Sequence, residues 1–226
     1  MPTVILVRHG RTAANAKGLL AGRAAGVGLD EIGRGQAART AERLAVVPLA
    51  GVVSSPLMRC RQTARLILDH QSGEPAAPID RGLTECDYGD WQGRTLSELT
   101  REKLWSVVQS QPSAATFPGG ESMAEMQTRS VAAIRRHDES FAAEHGPNAV
   151  WAAVSHGDII KAVLADALGM HLDLFQRITV GPASVSIVRY GGGGAEVIAT
   201  NTESGSLSWL RADASAEPRL GGGNGH

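Results

Sequence analysis

The chain has 226 residues, 42% of them hydrophobic, which is enough to bury a full core and favours one domain over two. Its 22 basic and 23 acidic residues are interspersed and sum to a formal charge of −1, so no basic run points to nucleic acid or a membrane surface. No apolar run approaches bilayer-spanning length, the first residues lack the start and cleavage site of a signal peptide, and Cys60 and Cys86 have no metal or redox spacing, so a cytoplasmic location is expected.

In chain order, Thr3 to Val7 reads as a buried strand that delivers Arg8, His9 and Gly10 to a loop. After a Gly-rich stretch from Gly18 to Gly28, apolar and Ala positions at helical spacing predict a helix over 30–47. Leu49 to Ser54 reads as a second short strand, with Ser55-Pro56 as cap and first-turn proline of a helix over 57–68. Thr95 to Gln109 and Ser122 to His145 read as helices, separated by turn residues at Gln111-Pro112 and Phe117-Pro118-Gly119-Gly120, and form a cap beside the crevice. Ala149 to Val154 is a third strand, ending in Ser155-His156-Gly157-Asp158 before a helix that stops at Gly169. Ser184 to Tyr190 and Glu196 to Thr200 predict an antiparallel hairpin on one sheet edge, where two copies can pair into a homodimer. The expected domain covers 1–211, and 212–226 is expected to be a disordered tail. Alternating strands and helices imply an α/β sheet with helices on both faces and ligands bound at the strands' carboxyl ends.

At those ends collect Arg8, His9, Arg59, Arg61, Glu85 and His156. Such a cationic cluster is costly without an anion, and guanidinium forks and the helix amino terminus after His156 suit phosphate. Neutral His9 can attack phosphorus through one ring nitrogen while the Gly10 carbonyl holds the other nitrogen's proton. A charged His156 would hold the equatorial oxygens, and Glu85, its pKa raised by negative charge nearby, would protonate the leaving oxygen. No metal ligand set and no cofactor motif is visible.

The stretches Val7-Arg8-His9-Gly10-Arg11-Thr12 with Asn15, Ser54-Ser55-Pro56-Leu57-Met58-Arg59-Cys60-Arg61-Gln62-Thr63-Ala64, Leu83-Thr84-Glu85-Cys86-Asp87-Tyr88-Gly89-Asp90-Trp91-Gln92-Gly93, and Ser155-His156-Gly157 resemble the histidine phosphatase superfamily, also called phosphoglycerate mutase-like. The resemblance covers about residues 3 to 200. It implies a three-layer α/β sandwich around a mostly parallel central sheet, a phosphohistidine at His9, a phosphate pocket of Arg8, Arg59 and His156, and Glu85 as proton donor. It also implies that Asn15 and Gly157 help to bind the phosphoryl group.

Within that superfamily the region from Gly93 to Gly119 is short and offers Arg94, Arg101 and Lys103 without a basic cluster. The expected activity is therefore metal-independent hydrolysis of a small phosphorylated metabolite. The alternatives are a phosphoglycerate mutase using the same site and a non-catalytic module that binds a phosphorylated ligand. Arg23, in the apolar and Gly-rich first loop, reads either as a substrate contact or as a surface charge. Glu121 and Glu125 read as helix-end charges, Trp91 and Trp105 as core, and His137, His145 and His171 as unrelated to any shared ligand.

Overall fold

The computed structural model describes residues 1–203; the expected tail at 212–226 and the last part of the expected domain lie outside the described residues. Five strands, β1 (Thr3–Arg8), β2 (Val52–Ser54), β3 (Val150–Ser155), β4 (Val185–Gly191) and β5 (Gly194–Thr202), form one sheet in the order β2-β3-β1-β4-β5. β2, β3 and β1 pair in parallel, whereas β4 is antiparallel to β1 and β5 to β4, so four of the five strands point one way. The β4–β5 hairpin supplies the sheet edge, as its glycine-joined sequence predicts.

Helices α1 (Ala13–Ala16), α2 (Glu31–Leu44), α3 (Met58–Asp69), α4 (Leu96–Leu99), α5 (Lys103–Ser110), α6 (Met123–His145) and α7 (Gly157–Ala167) surround the sheet. Side chains alternate across a strand, so the continuous apolar run of β1 serves two cores at once. Ile5 and Val7 pack with Ala41 and Leu44 of α2 and with Cys60, Ala64 and Ile67 of α3. Val4 and Leu6 pack on the opposite face with Ala133, Ile134 and Phe141 of α6 and Ile160, Val163 and Leu164 of α7. Each fully buried branched side chain contributes about 1.5–3 kcal/mol, which explains why a six-residue strand sits at the centre. A third cluster joins the cap to α7 through Tyr88, Trp91, Leu99, Phe117, Met123, Ile159 and Phe175.

Three local expectations change. The segment over 95–109 is two helices rather than one, because Glu102 is extended (ψ 140°) and caps α5. β2 is only three residues long. α3 begins at Met58 with Leu57 as an N-cap that makes no side-chain bond. Ser55, expected to cap it, instead places its hydroxyl 2.8 Å from His156 Nε2.

The amino end of α2 seats the Arg-His-Gly loop. Asp30 accepts from Gly33 N–H at 2.7 Å through one carboxylate oxygen and from Arg11 Nε at 2.9 Å through the other. A Cβ on Gly33 would lie 1.9 Å from the Arg11 carbonyl oxygen, so the helix can approach this closely only without a side chain. Gly33→Ala is therefore expected to destabilise the fold by about 1–3 kcal/mol, the usual cost of forced overpacking. Urea unfolding checks this, and an unchanged midpoint would mean that α2 does not support the loop.

Candidate active site

The three parallel strands deliver their carboxyl ends to one place. Arg8 of β1 is in register with Ser155 of β3, His9 N–H donates to the Ser155 carbonyl at 3.0 Å, and Ser55 N–H donates to the Val154 carbonyl at 3.0 Å. Arg8, His9, Arg59, Glu85 and His156 are all buried there, with His9 and Glu85 keeping 3% and 4% of their surface exposed.

His9 Nδ1 lies 2.8 Å from the Gly10 carbonyl oxygen, and its Nε2 accepts from Arg59 Nε at 3.1 Å. A carbonyl can only accept and a guanidinium can only donate, so the two partners assign the proton to Nδ1 and leave the Nε2 lone pair facing Arg59. Burial, then Arg59 and Arg8, push His9 well below the usual imidazole range, so it stays neutral. Arg59 Nη2 donates to the Gly22 carbonyl at 2.7 Å, while its Nη1 is buried with no acceptor among the described residues. An orphaned buried cationic donor costs more than a made hydrogen bond returns, which marks the position for an anion.

His156 stands edge-on to His9 with ring centroids 5.2 Å apart. Burial and then Arg59 hold it well below the imidazole range, so the positive charge expected for it is not supported by the protein's own groups. A dianion between the rings supplies the missing stabilisation and favours a proton on His156. Arg8 donates Nη1 to the Val180 carbonyl at 2.8 Å; burial lowers its pKa to about 10, which leaves it a cation at neutral pH. Glu85 is pushed up to about 7, first by burial and then by the Asp158 carboxylate, and one carboxyl oxygen accepts from Cys86 N–H at 3.0 Å. The sequence assigned this rise to a phosphate dianion, but the fold itself already supplies it. Asp158 is in turn buried against the Tyr88 hydroxyl at 2.8 Å and Lys161 Nζ at 3.6 Å.

Residues 4–203 match the family model described as histidine phosphatase superfamily (branch 1). The chain belongs to that superfamily. It is 32% identical over 173 residues to a glucosyl-3-phosphoglycerate phosphatase of Mycolicibacterium vanbaalenii, covering 75% of this chain and 76% of that protein. It is also 32% identical over 192 residues to a probable phosphoglycerate mutase of Yersinia pestis, covering 84% of this chain and 86% of that one. A solved mycobacterial glucosyl-3-phosphoglycerate phosphatase in complex with VO3 superposes with a TM-score of 0.79 at 26% identity, covering 89% of this chain and 99% of that structure. Three further mycobacterial relatives are longer, and the chain covers 54% of each.

In this histidine phosphatase the remaining sequence candidates divide. Gly157 opens α7 directly after His156, whose side chain makes no capping bond. Asn15 closes a capping box with Thr12, accepting from its N–H at 3.1 Å and its hydroxyl at 2.8 Å, which leaves the amide nitrogen as a donor. Arg23 is held in the frame of the site: its guanidinium donates to the Glu85 carbonyl, Asp87 and Glu121 at 2.9, 3.1 and 2.9 Å, through one N–H each of Nε, Nη1 and Nη2. Neither sequence reading of Arg23 anticipates this role. Arg61 is exposed on α3 and lines a cavity of about 960 Å³ between that helix, β2 and the first loop, which none of the five buried site residues lines. Ser55 and the Gly22 carbonyl orient His156 and Arg59, and neither role was legible in sequence, since one residue resembles a helix cap and the other acts through its backbone. Trp91 is buried against Phe117 and Trp105, as a core residue is. No helix among the described residues is long and apolar enough to cross a membrane.

Proposed function

We propose that the protein hydrolyses a small phosphorylated metabolite, with His9 as the nucleophile. The observation that carries this reading is the neutral Nδ1–H tautomer of His9, with its Nε2 lone pair beside the buried Nη1 of Arg59, which has no acceptor among the described residues. An incoming phosphoryl group takes over the Arg59 donors and is cradled by Arg8, His156, the amino end of α7 at Gly157, and Asn15. Arg23, which is bonded through all three of its nitrogens to the acid loop and Glu121, is assigned to the frame of the site rather than to the substrate.

Nε2 then forms a bond to phosphorus as the bond to the leaving oxygen breaks, and protonated Glu85 gives its proton to that oxygen. In the second half a water attacks the phosphohistidine, its proton passes to the Glu85 carboxylate, and the N–P bond breaks to release phosphate. Arg59, Arg8 and His156 face the oxygens on which charge redistributes, so the cationic groups of the chain supply the electrostatic stabilisation. The relative solved with VO3, a small oxyanion, is consistent with such a pocket.

One relative is named a probable phosphoglycerate mutase, so transfer back to substrate is the competing reading. Against it stands the short cap, in which Arg94 is already paired with Glu102 at 2.7 Å. The purified protein is expected to release phosphate from an aryl phosphate at mildly acidic pH with EDTA present, and from 3-phosphoglycerate to yield free phosphate rather than 2-phosphoglycerate. Loss of aryl phosphatase activity in EDTA would overturn the metal-free mechanism, and accumulation of 2-phosphoglycerate would favour the mutase.

A further inference from the structure

The carboxyl of Glu85 is tied to its own backbone, through Cys86 N–H, so its aim depends on what holds that backbone. The Glu85 carbonyl accepts from two guanidiniums, Arg23 Nε at 2.9 Å and Arg129 Nη2 at 3.2 Å. Both are gripped by one carboxylate. Glu121 Oε1 accepts from Arg23 Nη2 at 2.9 Å, Arg129 Nη2 at 2.6 Å and Asp87 N–H at 2.9 Å, while its Oε2 accepts from Arg129 Nε at 2.9 Å. Glu121 N–H also donates to the Asp87 carbonyl at 3.0 Å. Arg129 Nη1 reaches the Gly82 carbonyl at 2.8 Å, so the clamp spans the segment on both sides of Glu85.

We infer that Glu121 is a positioning residue for the proton donor: with Arg129 and Arg23 it fixes the backbone of residues 82–87 and thereby aims the Glu85 carboxyl at the leaving oxygen. A helix-end charge would satisfy the amino terminus of α6, yet Ser122 and Glu125 already do so through a capping box. Glu121 is turned the other way, into the acid loop. The close approach also explains the two residues before it. A Cβ on Gly120 would lie 2.1 Å from the Asp87 carbonyl oxygen, and one on Gly119 would sit at a φ of +70°. Partial burial works against ionisation of Glu121, but the hydrogen bonds from Arg129 and Asp87 N–H prevail and hold it below the ordinary carboxylate range, so it remains an anion between its two cations.

The inference rests on Glu85 as the acid, and leaving-group chemistry separates the two claims. An alkyl phosphate needs its leaving oxygen protonated, whereas a nitrophenyl phosphate leaves as a stable phenolate and needs little help. Wild type, Glu85→Gln, Glu121→Gln and Arg129→Lys are compared on both substrates. A displacement of about 1 Å at a reacting group can cost on the order of 10²-fold, so in kcat/KM, which reports the phosphorylation half and not the dephosphorylation that both substrates share, Glu121→Gln and Arg129→Lys are expected to lose at least about 10-fold on the alkyl phosphate and less than about 3-fold on the nitrophenyl phosphate. Equal loss on both substrates would reduce Glu121 to a structural staple and overturn the inference. If Glu85→Gln itself lacks the leaving-group dependence, the assignment of Glu85 fails instead. Arg129→Lys keeps a cation against Glu121 and carries the test if Glu121→Gln does not fold.

Discussion

His9→Ala is expected to lower turnover by on the order of 10⁴-fold or more and to leave no phosphorylated enzyme, as loss of a nucleophile commonly does. The size of the effect follows from the surroundings of His9. Arg59, Arg8 and His156 bind an anion whether or not His9 is present, but none of them offers a lone pair at neutral pH directed as Nε2 of His9 is. A guanidinium cannot attack, and Ser55, 2.8 Å from His156 Nε2, is engaged there. The measurement is rapid mixing with a radiolabelled aryl phosphate, followed by alkaline quench, which preserves phosphohistidine. Wild type should retain label and His9→Ala none. Retained label in the variant would place the nucleophile elsewhere. The ring is buried against His156, so a thermal unfolding midpoint within a few degrees of wild type is the control that the site is still assembled.

How much of this was legible in sequence depends on whether a residue acts through its side chain at a strand end or through a long-range contact. Thr3 to Val7 is short, β-branched and apolar on both faces, which favours a buried strand over a helix, and so its exit residues Arg8 and His9 could be placed. The same logic worked for His156 after β3. Periodicity, however, reports burial and not partners. Ser55 followed by proline looks like a cap because local chemistry favours that use, and only the tertiary approach of β3 redirects its hydroxyl to His156. Glu121 precedes a capping serine and reads as part of the helix end; besides Arg129 on α6 itself, its partners are 34 positions upstream, at Asp87, and 98 positions upstream, at Arg23. Arg23 shows the same limit from the other side, since nothing in a Gly-rich loop announces three acceptors brought together by two other segments. For His156, sequence shows the neighbouring cations but not the burial that opposes a proton there until an anion is bound.

Glu85→Gln is expected to cost on the order of 10²–10⁴-fold on alkyl phosphates, the range usual for a lost general acid. It should also remove one limb of the pH profile. A carboxyl pushed up to about 7 is protonated below that pH and ionised above it, so the first chemical step should proceed on a plateau in mild acid and slow as pH rises through about 7. The direction follows from the role, because the proton-bearing form is the one that acts. His9 does not oppose this from below, since burial and the two arginines keep it neutral well under the ordinary imidazole pKa. Substrate ionisation also contributes a titration near neutrality, and the variant distinguishes the two: the limb that belongs to Glu85 disappears in Glu85→Gln, while a limb from the substrate persists. Asp158 provides an independent handle, because its negative charge is the second cause of the rise at Glu85. Arg8 and Arg59 pull the other way, from β1 and α3, and a bound dianion opposes them. The alkaline limb of the phosphorylation step, measured in single turnovers with saturating substrate, should therefore lie above that of the free enzyme, and a limb that moved down on binding would show that some other group carries the proton.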